Sequence, residues 1–423
     1  MNPDRPDALQ ASARPAPPDA STQNEDRSAW AVFLIFLRLG LTAFGGPVAH
    51  LAYFRAEFVA RRHWLSERSY SDLVALCQFL PGPASSQVGI ALGLSRAGYG
   101  GALAAWAGFT LPSALVLTLL ALGLSRWGAA LAPGAWHGLQ VVAVAVVAQA
   151  VWGMARSLCP DRQRVTLMVT AACIALLQTS AWSQVGMMLA AGLAGWLWLQ
   201  PGPTAAHEPL PIRVSRRAAL LSLTLFGLLL LGLPIATGWW PGQTLELISG
   251  FYRAGSLVFG GGHVVLPLLE AQLVPSGGVS GETFLAGYGL TQAMPGPLFT
   301  FAAFLGASLQ QPSGQGTAGW SGGWLGLLAI FLPSFLLVVG ALPFWESLRR
   351  SRHAQAALAG INAAVVGLLL AALYQPVWSG AILGPRDFGL ALVALLALMF
   401  WRLPPWLVVL GCGLAGWLLG LIA

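Results

Sequence analysis

Charged and polar side chains recur at matched places inside the long apolar runs of this sequence. Arg38 and Arg253 each lie six residues before the phenylalanine of an "FGG" motif. An arginine in such a run is costly, at least about 2.5 kcal/mol at the centre of a bilayer. Because carboxylates are scarce in the apolar runs, an anion explains these two guanidinium groups better than an acidic partner does.

Uncharged donors accompany the arginines. The sequences "QFLPGP" and "QAMPGP" each place a glutamine before a Pro-Gly-Pro turn, and Ser86 and Thr300 follow these turns by three residues. A helix that restarts after such a turn presents unpaired N–H groups and the positive end of its dipole, which favour an anion. The candidate anion-contacting residues are therefore Arg38, Gly45, Gly46, Gln78, Pro81, Gly82, Pro83, Ser86, Arg253, Gly260, Gly261, Gln292, Pro295, Gly296, Pro297, Thr300 and Asn362.

Other interpretations of these residues stay open. The arginines could extend toward the membrane surface or cap carbonyl groups, and the amides, including Gln140, could join helices. His50 and His263 follow the two glycine motifs and are weaker candidates, for proton coupling. Without paired acids, a histidine cluster or a nucleophile with its base, we expect no catalytic residues, no metal site and no cofactor.

Glycine and proline interrupt two neighbouring apolar segments, at "FGGP" and at "LPGP". Non-helical backbone at membrane depth is tolerated where it is buried in protein or lines a wet cavity. The flanks of the "PGP" motif are about ten residues long, roughly half a bilayer as helix. Re-entrant hairpins and full-length broken helices both fit this pattern.

Composition indicates an all-α polytopic membrane protein. Of 423 residues, 56% are hydrophobic and 9% are charged, and apolar runs of about 17 to 25 residues recur, each long enough to cross a hydrocarbon core. Residues 1–28, rich in Pro, Ala and polar residues, predict a disordered N-terminal tail. The net charge of +7 comes from arginine in loops, which suits a lipid bilayer better than nucleic acid.

The chain contains an internal repeat. "FLRLGLTAFGG" matches "FYRAGSLVFGG", and further matches follow in the same order: the two Q-x-x-PGP motifs, "FTLPS" with "IFLPS", and "GLQVVAVAVV" with "GINAAVVGLL". This predicts a first transporter repeat at 29–200, a linker with one transmembrane helix at 201–240 and a second repeat at 241–423. Each repeat holds six hydrophobic segments, so the single linker helix turns the second repeat upside down. Inverted repeats are typical of secondary transporters.

Arginine distribution agrees with inversion. The loop "RAEFVARRHWLSER" is basic, whereas its partner "EAQLVPSGGVSGE" contains two glutamates and no arginine, so the two loops should lie on opposite faces. If both interrupted segments of the first repeat turn back as hairpins, this basic loop returns to the cytoplasm. We therefore expect a multi-pass protein with its N-terminus in the cytoplasm.

These motifs resemble those of the chromate ion transporters, in their long, two-domain form. The duplicated "FGGP" and "FGGG", the Q-x-x-PGP motifs, "LPS" and "GINAAVVGLLL" carry the resemblance over nearly the whole chain after the tail. It implies export of chromate across the bacterial inner membrane, giving chromate resistance, with sulfate as a related tetrahedral dianion. The sequence departs from strict duplication where the second glycine motif reads "FGGG" and where the histidines fall out of register.

Two alternative functions differ from chromate export, one in the direction of transport and one in the class of protein. One is an importer of sulfate or another oxyanion with the same fold, and the other is a membrane-embedded enzyme acting on a lipid phosphate. The enzyme would need a general base near the motifs, and the sequence offers none. A homodimer is a further hypothesis.

Overall fold

The computed structural model describes residues 27–127, 133–178, 180–200, 210, 212, 214–310 and 316–422, and these are almost entirely helical. The expected tail 1–28 lies outside this range except for its last two residues. The helices are α1 (Ala29–Thr42), α2 (Gly46–Phe54, continued by a π-helical turn Arg55–Arg61), α3 (Glu67–Phe79), α4 (Ala84–Trp127), α5 (Pro133–Leu158), α6 (Arg162–Leu177), α7 (Ala181–Trp198), α8 (Arg216–Trp239), α9 (Gln243–Leu257), α10 (Val265–Leu273), α11 (Gly281–Gln292), α12 (Phe301–Ser308), α13 (Gly319–Ala341), α14 (Trp345–Arg350), α15 (Arg352–Ala372, continued by short turns to Ala381), α16 (Pro385–Met399) and α17 (Pro405–Ile422).

Length and hydropathy confirm the all-α polytopic expectation. Five of the described helices are long and apolar enough to cross a membrane. One of them is the linker helix α8, whose large side chains, such as Leu228 and Leu231, are 65% and 67% exposed. A helix this apolar with so little of its surface covered is suited to lipid rather than water.

The chain folds back at both interrupted segments of the first half. Across the α1–α2 break, Phe36 stacks on Phe58 with ring centroids 5.0 Å apart. Across the α3–α4 break, the Arg96 guanidinium lies 4.7 Å from the ring centre of Trp64, which precedes α3. Each segment is therefore a hairpin rather than one full-length helix.

α4 contains a second reversal. Ala97 and Gly98 leave helical geometry, with φ of −134° and 60°. A methyl group added at Gly93 would lie 2.2 Å from the carbonyl oxygen of Gly101, a contact that a straight helix cannot make across eight residues. The part of α4 after Gly98 is thus a separate, long helix that packs back on the hairpin.

Contacts in the second half repeat this pattern. At the open end of the α9–α10 hairpin, Gln272 Nε2 lies 3.5 Å from the Glu246 carbonyl oxygen. The α11–α12 hairpin closes where the Gln310 N–H donates to the Gly278 carbonyl at 3.0 Å. At 12 residues, α11 is about 18 Å long, well short of a bilayer core of about 30 Å.

The last two helices of each half pack on a helix of the other half. The first half's α7 packs on the second half's α15, where a methyl group at Gly360 would lie 2.1 Å from the Ala191 carbonyl oxygen. Reciprocally, α17 packs on α5, where a methyl group at Gly138 would lie 2.1 Å from the Cys412 carbonyl oxygen. Glycine at these positions lets helix backbones approach closely, as is common between membrane helices.

Candidate functional site

The four Gly/Pro breaks meet in the middle of the protein. The Gly82 N–H donates to the Val258 carbonyl at 2.7 Å, and the Gly296 N–H donates to the Ala43 carbonyl at 3.0 Å. Val258 and Ala43 each stand just before the phenylalanine of a glycine motif. Each Pro-Gly-Pro turn is therefore held by the glycine break of the opposite half.

The Pro-Gly-Pro glycines cannot be replaced without strain. Gly82 and Gly296 have φ of 120° and 89°, a region that favours glycine. A methyl group at Gly82 would lie 3.0 Å from Ser334 Oγ, and one at Gly296 would lie 3.1 Å from Ser113 Oγ. The two "LPS" serines thus each lie against the Pro-Gly-Pro turn of the other half.

The two unlike residues of the glycine motifs also face each other. Pro47 of "FGGP" lies against Gly262 of "FGGG", because a methyl group at Gly262 would be 3.5 Å from Pro47 Cγ. The two glycine motifs therefore meet at the position where their sequences differ.

A cavity of about 880 Å³ lies beside these breaks. Its wall includes Ala84, where α4 begins, and Gly45 and Gly261, each of which directly precedes the start of a helical segment. The unpaired N–H groups and positive dipole ends of such segments favour an anion. Among the described residues that line this cavity there is no Asp, Glu, Lys or Arg.

Side-chain amides complete the polar lining. Gln78, Gln149 and Asn362 line the cavity, and the Asn362 side-chain oxygen is buried without a hydrogen-bond partner. Because the two ends of an amide are distinguished only by their hydrogen bonds, Asn362 can turn its NH₂ toward a bound acceptor. These groups can hydrogen-bond an oxyanion without adding charge.

A smaller cavity of about 60 Å³ lies next to the large cavity and shares part of its wall. It contains Gln292, whose side-chain nitrogen is buried without a partner, and Gly296 of the second Pro-Gly-Pro turn. The residues common to the walls of both cavities are Gly45, Pro47, Val146, Gln149 and His263. The first turn thus lies at the large cavity and the second at the small one.

Several predicted site residues lie elsewhere. Arg38 is exposed on α1 and lines neither cavity, and Arg253 lines a separate cavity of about 720 Å³, where its Nη2 donates to Gln272 Oε1 at 2.7 Å. Ser86 is buried outside the lining, and Thr300 Oγ1 donates to the Pro297 carbonyl at 2.8 Å. Gln140, the repeat partner of Asn362, is buried with its Nε2 3.5 Å from the Glu282 carbonyl oxygen.

The two histidines differ in their surroundings. His50 is 1% exposed, with Nε2 3.2 Å from the Ala43 carbonyl oxygen and Nδ1 3.4 Å from Ser85 Oγ. It therefore helps to hold the first break. His263 lines both cavities.

Sequence reasoning missed Gln149 and the position of the two "LPS" serines beside the Pro-Gly-Pro turns. Gln149 lacks a polar repeat partner, since the matching position in the second half is Ala371. Repetition was the signal that selected the other residues. The "LPS" motifs were visible, but only proximity in space assigns Ser113 and Ser334 to the Pro-Gly-Pro turns.

Comparison with known proteins agrees with this duplicated arrangement. Residues 30–196 and 245–417 both match the model of one family, described as chromate transporter. The chain is 28% identical to the chromate transport protein of Pseudomonas aeruginosa, over 92% of this chain and 91% of that protein. It is 27% identical to the chromate transport protein of Cupriavidus metallidurans, over 95% and 97% respectively.

An uncharacterized transporter of Methanocaldococcus jannaschii is 26% identical, over 84% of this chain and 85% of that protein. No solved structure matches the chain. The family match spans both halves, including the glycine and Pro-Gly-Pro motifs of each. The chain belongs to the chromate transporter family.

Proposed function

We propose that this protein carries chromate across the membrane through the large cavity and exports it, giving chromate resistance. The observation that carries the proposal is the meeting of three helix starts, at Gly45, Ala84 and Gly261, on a cavity whose described lining holds no carboxylate. Partial positive charge without a counter-ion favours an anion, and weak neutral donors allow its release. The names of the two bacterial relatives support chromate as that anion.

The membrane potential favours the proposed direction. With the cell interior negative, expelling a dianion gains about 4.6 kcal/mol for each 100 mV. The cavity extends to Ser157 and Leu158 at the end of α5 and to Leu358 near the start of α15. Arg156 and Arg352 lie at these helix ends, and a basic face supports a cytoplasmic location. On this proposal the cavity faces the cytoplasm of a bacterial inner-membrane protein whose N-terminus is also cytoplasmic.

We further propose that the two repeats are inverted and alternate in opening the site. The reciprocal bonds of Gly82 to Val258 and of Gly296 to Ala43 support a two-fold relation between the halves. The unequal cavities, about 880 Å³ and 60 Å³, support a state open on one side. Exchange of their roles would carry the anion past the shared wall. Arg253, in its separate cavity of about 720 Å³, would meet the anion near the opposite face.

Radiolabelled chromate flux in everted membrane vesicles tests the proposal. We expect uptake into everted vesicles, driven by an inside-positive potential, and loss of uptake in the Gly82→Ala variant at equal abundance. Chromate uptake equal to that of vesicles lacking the protein would refute chromate export.

The same vesicles separate the second candidate, import of sulfate or another oxyanion. Sulfate also presents four acceptor oxygens on a tetrahedron, so the donor lining favours it equally. Labelled sulfate that enters right-side-out vesicles, but not everted ones, would favour import. We propose chromate first because both bacterial relatives are chromate transport proteins.

A further inference from the structure

His263 stands at the wall between the two cavities, in a position that the first repeat fills differently. In the register that pairs Gly45 with Gly260, the residue matching His263 is Val48. Val48 also lines the large cavity. The second repeat therefore places an imidazole where the first repeat places an apolar side chain.

Tyr288 fixes the orientation of this imidazole. Its hydroxyl lies 2.7 Å from His263 Nδ1, and the tyrosine is completely buried on α11, packed against Phe301 with ring centroids 5.7 Å apart. The hydroxyl makes no other hydrogen bond to the residues that the structure describes. The ring nitrogen is therefore its only protein acceptor in this range.

The direction of this hydrogen bond follows from burial. If Nδ1 donated to the tyrosine, the phenolic proton would be buried without an acceptor, which is disfavoured. Tyr288 therefore donates, Nδ1 accepts, and a neutral imidazole carries its hydrogen on Nε2. Within the described part of the chain, His263 Nε2 makes no hydrogen bond, and the residue lines both cavities.

We propose that His263, held by Tyr288 as the Nε2–H tautomer, donates this N–H to the transported oxyanion as the anion passes the wall. This inference rests on the proposed function and gives His263 a role as a neutral donor rather than a proton carrier. A group that can only donate there needs an acceptor oxygen from its ligand, and a tetrahedral dianion presents four such oxygens that carry negative charge.

His50 shows why the two histidines are not equivalent. Both of its ring nitrogens face protein partners, Ser85 Oγ and the Ala43 carbonyl oxygen, and its side chain is buried. It has no donor left for a ligand. Of these two histidines, His263 alone combines a fixed first nitrogen with a cavity position.

The test measures chromate KM and maximal flux in vesicles for three variants. His263→Phe keeps an aromatic ring but no donor, and we expect its KM to rise about tenfold. His263→Gln returns an N–H near Nε2 and should recover part of the affinity, while Tyr288→Phe frees the tautomer and should raise KM about threefold. The matched control is His353→Gln, because His353 lies at an exposed site where Trp196 Nε1 donates to its Nδ1.

A second readout follows the tautomer itself. In the purified wild-type protein with ¹⁵N-labelled histidine, the ¹⁵N NMR spectrum should show His263 as the Nε2–H form. Addition of chromate or sulfate should shift its Nε2 signal. The Tyr288→Phe variant should show a mixture of both tautomers. A KM within twofold of wild type in His263→Phe would overturn the inference, as would an Nδ1–H tautomer. If wild-type vesicles carry no chromate, the proposed function fails, and an Nε2 signal unmoved by both anions would overturn this inference separately.

Discussion

Asn362 and Gln140 occupy the same position in the two repeats, yet only Asn362 reaches the cavity. The Asn362 side-chain oxygen is buried without a partner at the wall, whereas Gln140 is buried near the Glu282 carbonyl oxygen. We propose that this duplicated pair separates into Asn362, which binds the anion, and Gln140, which joins helices.

Replacing these amides separates the two roles. We expect Asn362→Ala to raise the chromate KM about two- to tenfold, the loss of one hydrogen bond. Gln140→Ala should leave KM unchanged and lower thermal stability instead. Vesicle flux and thermal unfolding of both variants check this, and equal changes in KM would contradict the assignment.

The two matched arginines give a second residue-scale comparison. Arg38 is exposed on α1, whereas Arg253 lines its own cavity with Gln272. A methyl group at Gly250 would lie 1.7 Å from Gln272 Nε2, so glycine there makes room for the amide that holds Arg253. The first repeat has Ile35 at the matching position.

We therefore expect Arg253→Ala to reduce chromate flux about tenfold, because a charged donor is lost from the path. Arg253→Lys should recover only part of it, since lysine lacks the planar fork. Arg38→Ala is the matched control and should keep its flux. The measurement is chromate flux of the three variants at equal membrane abundance. A loss of flux in Arg38→Ala but not in Arg253→Ala would contradict a role for Arg253 and support one for Arg38.

These residues show which parts of the candidate site the sequence predicts and which it does not. Repetition selected Gly45, Gln78, Gly82 and Asn362, and all four line the large cavity. It could not separate Arg38 from Arg253, because a helix that is apolar on every side gives no periodic signal for which face is covered. It also passed over Gln149 and Tyr288, which have no polar counterpart in the other half.

At the scale of elements, the hairpins depend on turns that only glycine makes easily. Gly82, Gly296 and Gly277 all have positive φ, but a methyl group at Gly277 would meet nothing within 4 Å, whereas one at Gly82 would meet Gln87 and Ser334. Substitution of Gly277 therefore measures the cost of backbone strain alone, whereas substitution of Gly82 measures strain together with steric crowding. The sequence predicted broken segments, and contacts across the breaks identify them as hairpins.

We expect Gly277→Ala to cost about 1 to 2 kcal/mol of stability, the penalty of the left-handed region alone, and to keep flux. Gly82→Ala and Gly296→Ala add a clash with neighbouring atoms, so they should lower stability further and abolish flux. Thermal unfolding and chromate uptake of the three variants provide the measurement. Normal uptake by Gly82→Ala would mean that the turn geometry is not required for transport.

At the scale of the whole molecule, the two halves are complementary rather than side by side. The first repeat's α6 and α7 pack on α15, and the second repeat's α16 and α17 pack on α5, where His137 Nε2 lies 3.0 Å from Asp387 Oδ1. This reciprocal packing of the last helices is compatible with two related repeats of opposite orientation. Composition alone sufficed for the all-α membrane class, whereas this packing needs distances between residues far apart in sequence.

Inversion makes a direct prediction about accessibility. Ser66 precedes α3 and Ser276 follows α10, and both are exposed. In a Cys173→Ala background, which removes the exposed native thiol, Ser66→Cys should react with an impermeant reagent only from the cytoplasmic face and Ser276→Cys only from the other. Labelling of both from one face would exclude inverted repeats.

The reciprocal bonds at the centre also impose an order on biogenesis. When the first repeat enters the membrane, the Gly82 N–H still lacks its acceptor, because Val258 has yet to be synthesised. The Ala43 carbonyl already faces His50 Nε2 and gains the Gly296 N–H later. An unpaired backbone N–H is costly away from water, so the hairpin that contains Gly82 should stay near the surface or open until the second repeat arrives. Insertion of the first half is thus completed by the second half, and we expect truncated chains that end before Val258 to be degraded by membrane proteases rather than to accumulate.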